Sequence, residues 1–188
     1  MHWRRRSLLA GAAVLLLAPA PSPAQDSLTV AEARASLLGR WEGLYESLDG
    51  GAASEAFSWP VTVAIEDAGD GRTYIERQKF AGMDDDGALQ LTVTILDSDG
   101  ATEHGTQFVR GSVPEARSTN LTLTAARDAT HWTLTGVADH RRDGEALQAR
   151  TTIVREGDTL VSTVELDPPG DEPPFGATRR TLRRTGEP

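Results

Sequence analysis

The stretch that decides the fold is Leu37-Leu38-Gly39-Arg40-Trp41-Glu42-Gly43-Leu44-Tyr45, which joins a helical pattern to a long series of strand-like segments. Before it, Thr29 and Glu32 have the spacing of a capping box, and Val30 to Leu38 consists of good helix formers. After Gly39 the apolar residues recur at every second position, which is the period of a half-buried strand. We therefore predict a short N-terminal helix that packs on a β-structure beginning directly after it.

Ten segments with this period follow one another, linked by turns that are rich in glycine and aspartate. They lie at residues 40–48, 57–65, 72–80, 89–95, 102–110, 118–126, 130–139, 146–155, 159–166 and 175–184. No pattern for crossover helices separates them, which disfavours a parallel sheet and leaves an antiparallel meander. Closing the meander hides its edge strands, so we predict an all-β fold, an antiparallel up-and-down β-barrel of about ten strands.

The first residues have the pattern of an export signal. Met1–Arg6 is positively charged, Ser7–Ala20 is an apolar run of signal-peptide length, and Ser22 and Ala24 are small residues of the kind that a signal peptidase requires. The apolar run is too short, and too closely followed by prolines, for a membrane-spanning helix. We expect residues 1–24 to be removed as a signal peptide.

The export route and the compartment follow from a few further residues. Arg5-Arg6-Ser7-Leu8-Leu9 is similar to a twin-arginine signal, although any basic signal peptide could contain such a pair. The chain has no cysteine, which excludes a lipoprotein anchor, disulfides and thiolate metal sites. We expect residues 25–188 to form a single domain in the periplasm or outside the cell, without stable membrane insertion.

Net charge limits the partners of this domain. Removal of Arg4, Arg5 and Arg6 with the signal leaves sixteen basic residues against 28 acidic ones, a net charge of −12. Such a surface repels the phosphates of nucleic acids and of anionic membranes. We therefore expect no nucleic-acid partner.

The short helix, Gly39-Arg40-Trp41 at the head of the first strand, the meander and Arg183-Arg184 at its end resemble the calycin superfamily of lipocalins, fatty-acid-binding proteins and bacterial lipocalin-like domains. The resemblance implies that Gly39 and Trp41 lie at one end of the barrel, where Trp41 packs against Arg183 or Arg184. It also implies that the barrel interior binds a small hydrophobic or amphipathic molecule. Some ten-stranded relatives bind haem through one histidine, but no cofactor is predicted here.

The segment Thr73–Phe80 is unusual because neither of its faces is plainly apolar. It can be interpreted as a solvated strand with cross-strand ion pairs. It can also be interpreted as the wall of a polar cavity into which Tyr74, Glu76 and Gln78 point, where a buried carboxylate acquires a raised pKa. The second interpretation makes these three side chains candidate ligand-binding residues.

Three large aromatic residues, Trp59, Phe108 and Trp132, complete the candidate ligand-binding set. Core packing is the ordinary role for each of them. A barrel of ten strands, however, encloses more space than side chains usually fill, and such interiors tend to be ligand cavities.

No metal site is predicted. His131 and His140 lie nine residues apart in one segment and so face opposite sides, and nothing in the sequence brings His104 to either of them. A calcium loop needs a glutamate six residues after its glycine, whereas Gly87 and Gly100 are followed there by Val93 and Thr106. The acidic segments around these glycines are therefore hairpin turns.

The sequence thus favours an exported barrel that binds a small hydrophobic or amphipathic molecule. Three alternatives remain open: an isomerase or hydrolase with Glu76 as general base, a barrel that binds haem through one histidine, and a ligand-free interaction module of the cell envelope. No nucleophile or oxyanion arrangement accompanies Glu76, so an enzyme is less expected and no catalytic residue is assigned.

Overall fold

A closed barrel of ten antiparallel strands, with one short helix across one end, forms the described part of the chain. This computed structural model describes residues 28–48, 57–82, 88–110, 112–142, 145–170 and 173–187. The predicted fold class is confirmed. The predicted signal peptide at residues 1–24 lies outside the described residues.

Each strand pairs with its neighbours in chain order, and the last strand pairs with the first to close the barrel. The elements are α1 (Val30–Ala35), β1 (Gly39–Ser47), β2 (Ser58–Asp67), β3 (Thr73–Phe80), β4 (Ala88–Leu96), β5 (Thr102–Val109), β6 (Glu115–Asp128), β7 (His131–Arg142), β8 (Glu145–Glu156), β9 (Thr159–Asp167) and β10 (Phe175–Gly186). Every strand predicted from the period-two pattern corresponds to one of these ten, with ends that differ by a few residues. In the described residues no helix is long and apolar enough to cross a membrane.

The two ends of the barrel differ because consecutive strands run in opposite directions. One end, called the helix end below, carries α1 and the connections β2–β3, β4–β5, β6–β7 and β8–β9. The other end, called the mouth, carries the connections β1–β2, β3–β4, β5–β6, β7–β8 and β9–β10.

The helix begins at the predicted capping box. The backbone N–H of Glu32 donates to the Thr29 hydroxyl (3.2 Å), and the Glu32 carboxylate accepts from the Thr29 backbone N–H (2.8 Å). The helix ends at Ala35 rather than at the predicted Leu38. Its last turn tightens into i→i+3 bonds, in which the N–H of Leu38 donates to the carbonyl of Ala35 (3.2 Å).

The helix end is filled by apolar side chains that point inward from α1 and from most strands. All of them are at most 8 % exposed: Ala33, Leu37, Trp41, Val63, Ile65, Leu96, Leu121, Trp132, Leu134, Leu160 and Leu182. This packing gives the short helix the stability that its length alone would not supply. The inward-facing polar and aromatic side chains described below lie between this core and the mouth.

Candidate functional site

An ion pair crosses the interior of the barrel between β3 and β10. The Arg180 guanidinium Nη1 lies 2.5 Å from Glu76 Oε1, and the two side chains are only 15 % and 17 % exposed. Strands β1 and β2 separate β10 from β3 in the barrel wall, so this contact spans the interior rather than running along a ladder.

Gln78 completes this group, which we call the polar layer (Glu76, Gln78 and Arg180). Its side-chain amide Nε2 donates to Glu76 Oε1 at 2.7 Å, and the residue is 6 % exposed. Glu76 and Gln78 point inward together because they alternate with Ile75 and Arg77 along β3. The outer face of β3 also forms a cross-strand ion pair, from Arg77 to Glu66 (2.6 Å).

Four stacked or edge-packed aromatic rings adjoin the polar layer on its mouth side. We call Tyr45, Phe57, Trp59 and Phe80 the aromatic cluster. The ring centres of Phe57 and Trp59 are 4.0 Å apart, and those of Tyr45 and Phe80 are 5.5 Å apart. Tyr45 is the ladder partner of both Arg180 and Trp59, so the aromatic cluster and the polar layer are in direct succession.

Tyr74 and Trp132, which were predicted to bind ligand, lie instead at the helix end. Tyr74 is 3 % exposed, its hydroxyl donates to the Gly71 carbonyl (3.2 Å), and burial raises the pKa of its phenol. Trp132 is 2 % exposed, and its indole N–H is shared between the Ser36 hydroxyl and the Ala129 carbonyl, 3.1 Å from each. Both are packed in the core beneath or beside α1.

Phe108 lies on the outer face of the barrel. It is 41 % exposed, and its ladder partner on β4 is Leu91. Leu91 points outward because it lies three residues, an odd number, before Thr94, which points inward and is buried. Phe108 therefore does not line the interior. Of the six residues predicted to bind ligand, the structure brings together Trp59, Glu76 and Gln78 in the half of the interior toward the mouth.

Trp41 lies at the helix end, and its partners are two arginines. The Cζ atoms of Arg184 and Arg155 lie 5.4 Å and 5.6 Å from the centre of its ring. Arg183, the other residue predicted as its partner, is exposed on the outer face of β10, opposite Glu42.

The same three side chains bind the carbonyl groups at the end of the helical segment. The Trp41 indole N–H donates to Leu37 (2.9 Å), an Arg184 N–H donates to Leu38 (2.7 Å), and Arg155 donates to Ser36. Burial, followed by the nearby charge of Arg184, lowers the pKa of Arg155. This group satisfies carbonyls that would otherwise be orphaned, so its role is structural.

Three histidines lie in the described part of the chain, and none of their hydrogen bonds or ion pairs described there is with a residue of the polar layer. His104 and His131 face outward, beside Asp97 (3.2 Å) and Asp128 (2.9 Å) respectively. His140 points inward at the mouth, so His131 and His140 do face opposite sides as predicted. In the described ranges no group of three or more metal-ligating side chains comes together.

Comparison with known proteins supports the fold and does not assign a family. No family model matches the sequence, and no curated protein matches it. The structure is similar to the crystal structure of Rv2717c from M. tuberculosis, with a TM-score of 0.54 and 15 % identity over 85 % of this chain and 99 % of that one. At this identity the likeness concerns the fold alone.

A second solved structure matches less well. It is a protein of unknown function from the DUF3598 family of Nostoc punctiforme PCC 73102, with a TM-score of 0.26 and 9 % identity over 84 % of this chain and 100 % of that one. A score this low carries no argument about fold or function.

Two residues of the interior were not anticipated from the sequence. Arg155 lies in β8, whose inward face is otherwise apolar or small, and Arg180 lies next to Leu182 on the inward face of β10. The alternation along β10 does place Arg180, Leu182 and Arg184 on one face, and that pattern was the available signal.

Proposed function

We propose that this protein is an exported, lipocalin-like barrel that binds a small amphipathic molecule in its interior. The observation that carries the proposal is the direct succession of the aromatic cluster and the polar layer inside the half of the barrel toward the mouth. A barrel of this size is suited to ligand binding. The export part of the proposal rests on the sequence of residues 1–24.

The chemistry of the two groups defines the kind of ligand. The rings of Tyr45, Trp59 and Phe80 offer flat apolar surface to a hydrophobic body. In the polar layer the charges of Glu76 and Arg180 compensate each other, and Gln78 contributes an amide. This balance favours an uncharged hydrogen-bonding group over a further full charge, because an additional buried charge would have no partner.

Tryptophan fluorescence tests this proposal with a neutral probe. We expect N-phenyl-1-naphthylamine to quench the emission of purified protein, and native mass spectrometry to detect a bound small molecule after mild purification. Trp59→Phe should abolish most of the quenching, because Trp59 belongs to the aromatic cluster. Trp132→Phe is the matched control and should retain it, because Trp132 is packed at the helix end.

Export is tested separately by fractionating cells that express the full chain. Mature protein beginning near Gln25 in the periplasm or medium is the expected result. The binding proposal would be overturned by protein that carries no bound molecule and whose emission is unchanged by the neutral probe and by a fatty acid.

A further inference from the structure

The ladder between β6 and β7 stops before it reaches the mouth. Its last pair on that side is Thr119 with Ala138. Beyond that pair, residues 115–118 of β6 pair only with β5, and residues 139–142 of β7 pair only with β8, within the described part of the chain. Two neighbouring strands thus lack ladder pairs over four residues at the mouth, and on the other side of the same hairpin β8 pairs with β9 only from Gln148 onward.

A cleft of about 530 Å³ lies where β6 and β7 lack these pairs. Four of its residues belong to the inward-facing set of their strands, and four belong to the outward-facing set. The former are Glu115, Arg117, His140 and Leu147, and the latter are Ala116, Asp139, Arg141 and Ala146. Because strand residues alternate between the two faces of the wall, a cleft that both sets line borders the inner and the outer face at the mouth. Its volume lies in the range of small-molecule sites.

Side-chain contacts rather than backbone bonds connect the two strands at the cleft. His140 Nδ1 of β7 lies 3.6 Å from Glu115 Oε1 of β6. The other carboxylate oxygen of Glu115 lies 2.9 Å from an Arg117 nitrogen, along β6 itself. A side-chain contact of this kind opens by rotamer changes, whereas passage between strands that are paired would break ladder hydrogen bonds.

We propose that the separation of β6 and β7 is the entrance through which a ligand reaches the interior, with the Glu115–His140 contact across it. This inference rests on the function proposed above, since it names the access route to the same interior. The backbone groups of residues 115–118 and 139–142 on the cleft side form no β6–β7 ladder bonds, and a water-filled entrance is compatible with this because water satisfies such groups. The entrance controls how fast a ligand enters and leaves, and the aromatic cluster and polar layer determine how tightly it binds.

The absence of cysteine from the chain allows a clean cross-linking test. Ala116→Cys and Arg141→Cys place two thiols at exposed positions on opposite sides of the cleft, where a short bifunctional maleimide joins them. Stopped-flow fluorescence with N-phenyl-1-naphthylamine then measures association and dissociation. We expect both rate constants to fall together by about ten-fold after cross-linking, with the dissociation constant nearly unchanged, as for a gating step.

The matched control joins the same two strands where they are paired. Thr122→Cys and Thr135→Cys are direct ladder partners on the outer face, and cross-linking them should leave both rate constants unchanged. A second variant tests the contact itself: Glu115→Gln should raise both rate constants. Asp139→Asn, on the outer face of the same cleft, should not.

The outcomes separate this inference from the proposed function. If cross-linked protein exchanges the probe at the rate of the unlinked variant, the entrance lies elsewhere, although binding itself stands. A weakened affinity at unchanged rates of association would also overturn the inference, because the cleft would then be part of the binding site. If the unmodified protein binds no probe, the proposed function fails before the entrance is tested.

Discussion

Arg184 lies over the indole of Trp41, with its Cζ atom 5.4 Å from the ring centre, at the seam where the last strand of the barrel meets the first. Trp41 is fully buried and its N–H donates to the Leu37 carbonyl. The pair therefore joins three parts of the molecule: the end of the helical segment, β1 and β10. A guanidinium over an indole contributes roughly 0.5–2 kcal/mol to stability, and the upper part of this range applies when water is excluded.

Replacing Trp41 should damage stability far more than binding. Trp41→Ala removes the largest fully buried side chain at the helix end, and we expect the free energy of unfolding to fall by about 3–5 kcal/mol. Ligand affinity should change little, because the aromatic cluster lies toward the other end. Denaturant unfolding and probe titration of the same preparation check both statements. A large loss of affinity at an unchanged unfolding midpoint would contradict this assignment.

Replacing either partner of the ion pair in the polar layer should lower the free energy of unfolding. Replacing both should lower it by less than the sum of the two single losses. Glu76→Gln leaves the guanidinium of Arg180 largely buried without its carboxylate, for which we expect a loss of about 3 kcal/mol, the lower end of the range for buried pairs. The double variant Glu76→Gln with Arg180→Gln should lose less than the sum of the single variants. A double-mutant cycle by urea unfolding measures this coupling, and additive losses would show that the pair is not coupled.

The sequence predicted which side chains of β3 share a face, because period two fixes this, but it left open whether that face is the interior. Tyr74, Glu76 and Gln78 needed only their alternation along one strand to be grouped. Their partner was not predictable in the same way. Arg180 lies 104 residues away and reaches Glu76 across the interior, a relation that depends on barrel closure and side-chain length rather than on any local pattern.

Phe108 shows the limit of assigning a face from composition. An aromatic residue in a strand is usually assigned to the interior, but the residues of β5 are mostly polar on both faces and give no independent signal. The register of β5 with β4 places Phe108 on the outer face. Gly105 pairs with buried Thr94 and so lies on the inner face, and Phe108 follows it by three residues, an odd number. Register between strands is long-range information that a single sequence does not contain.

The turn at Asp70 should contribute to acid sensitivity. Hydrogen bonds from the Thr73 hydroxyl and from the backbone N–H groups of Arg72 and Thr73 lower the pKa of the Asp70 carboxyl from 3.8 to about 2. A carboxyl whose pKa is lower in the folded state binds protons more readily when unfolded. Its contribution to stability is therefore present above its ordinary pKa and is lost as the pH falls from about 4 to about 2.

Asp70→Asn should accordingly flatten the dependence of the melting temperature on pH within that window. The variant is expected to melt below the wild type at pH 5 and to approach it at pH 2. Thermal unfolding at intervals between pH 2 and pH 5 measures the difference in melting temperature between the variant and the wild type. Substitution of the exposed Glu165 is the control. A constant difference across the whole range would show that the hydrogen-bonded carboxylate is not responsible.

Two inward-facing glycines of the barrel should respond in opposite ways to alanine. A Cβ on Gly43 would overlap the carbonyl oxygen of Thr181 and lie 2.9 Å from the Cα of Leu182, both of them backbone atoms of β10. Neither atom can move unless β1 and β10 separate, which would open the seam that closes the barrel. We expect Gly43→Ala to lower the free energy of unfolding by about 3 kcal/mol, as for severe overpacking.

Gly105 is the matched control, because a Cβ there would meet only the Thr94 hydroxyl, at an ordinary 3.6 Å. Gly105→Ala should be neutral or stabilising by about 0.5 kcal/mol, since alanine reduces the conformational freedom of the unfolded chain. Urea unfolding of both variants measures the contrast. Equal losses at the two positions would mean that the cost comes from strand flexibility in general. A loss of stability confined to Gly43→Ala would show that the cost arises at the β1–β10 seam, within the stretch of sequence where the barrel begins.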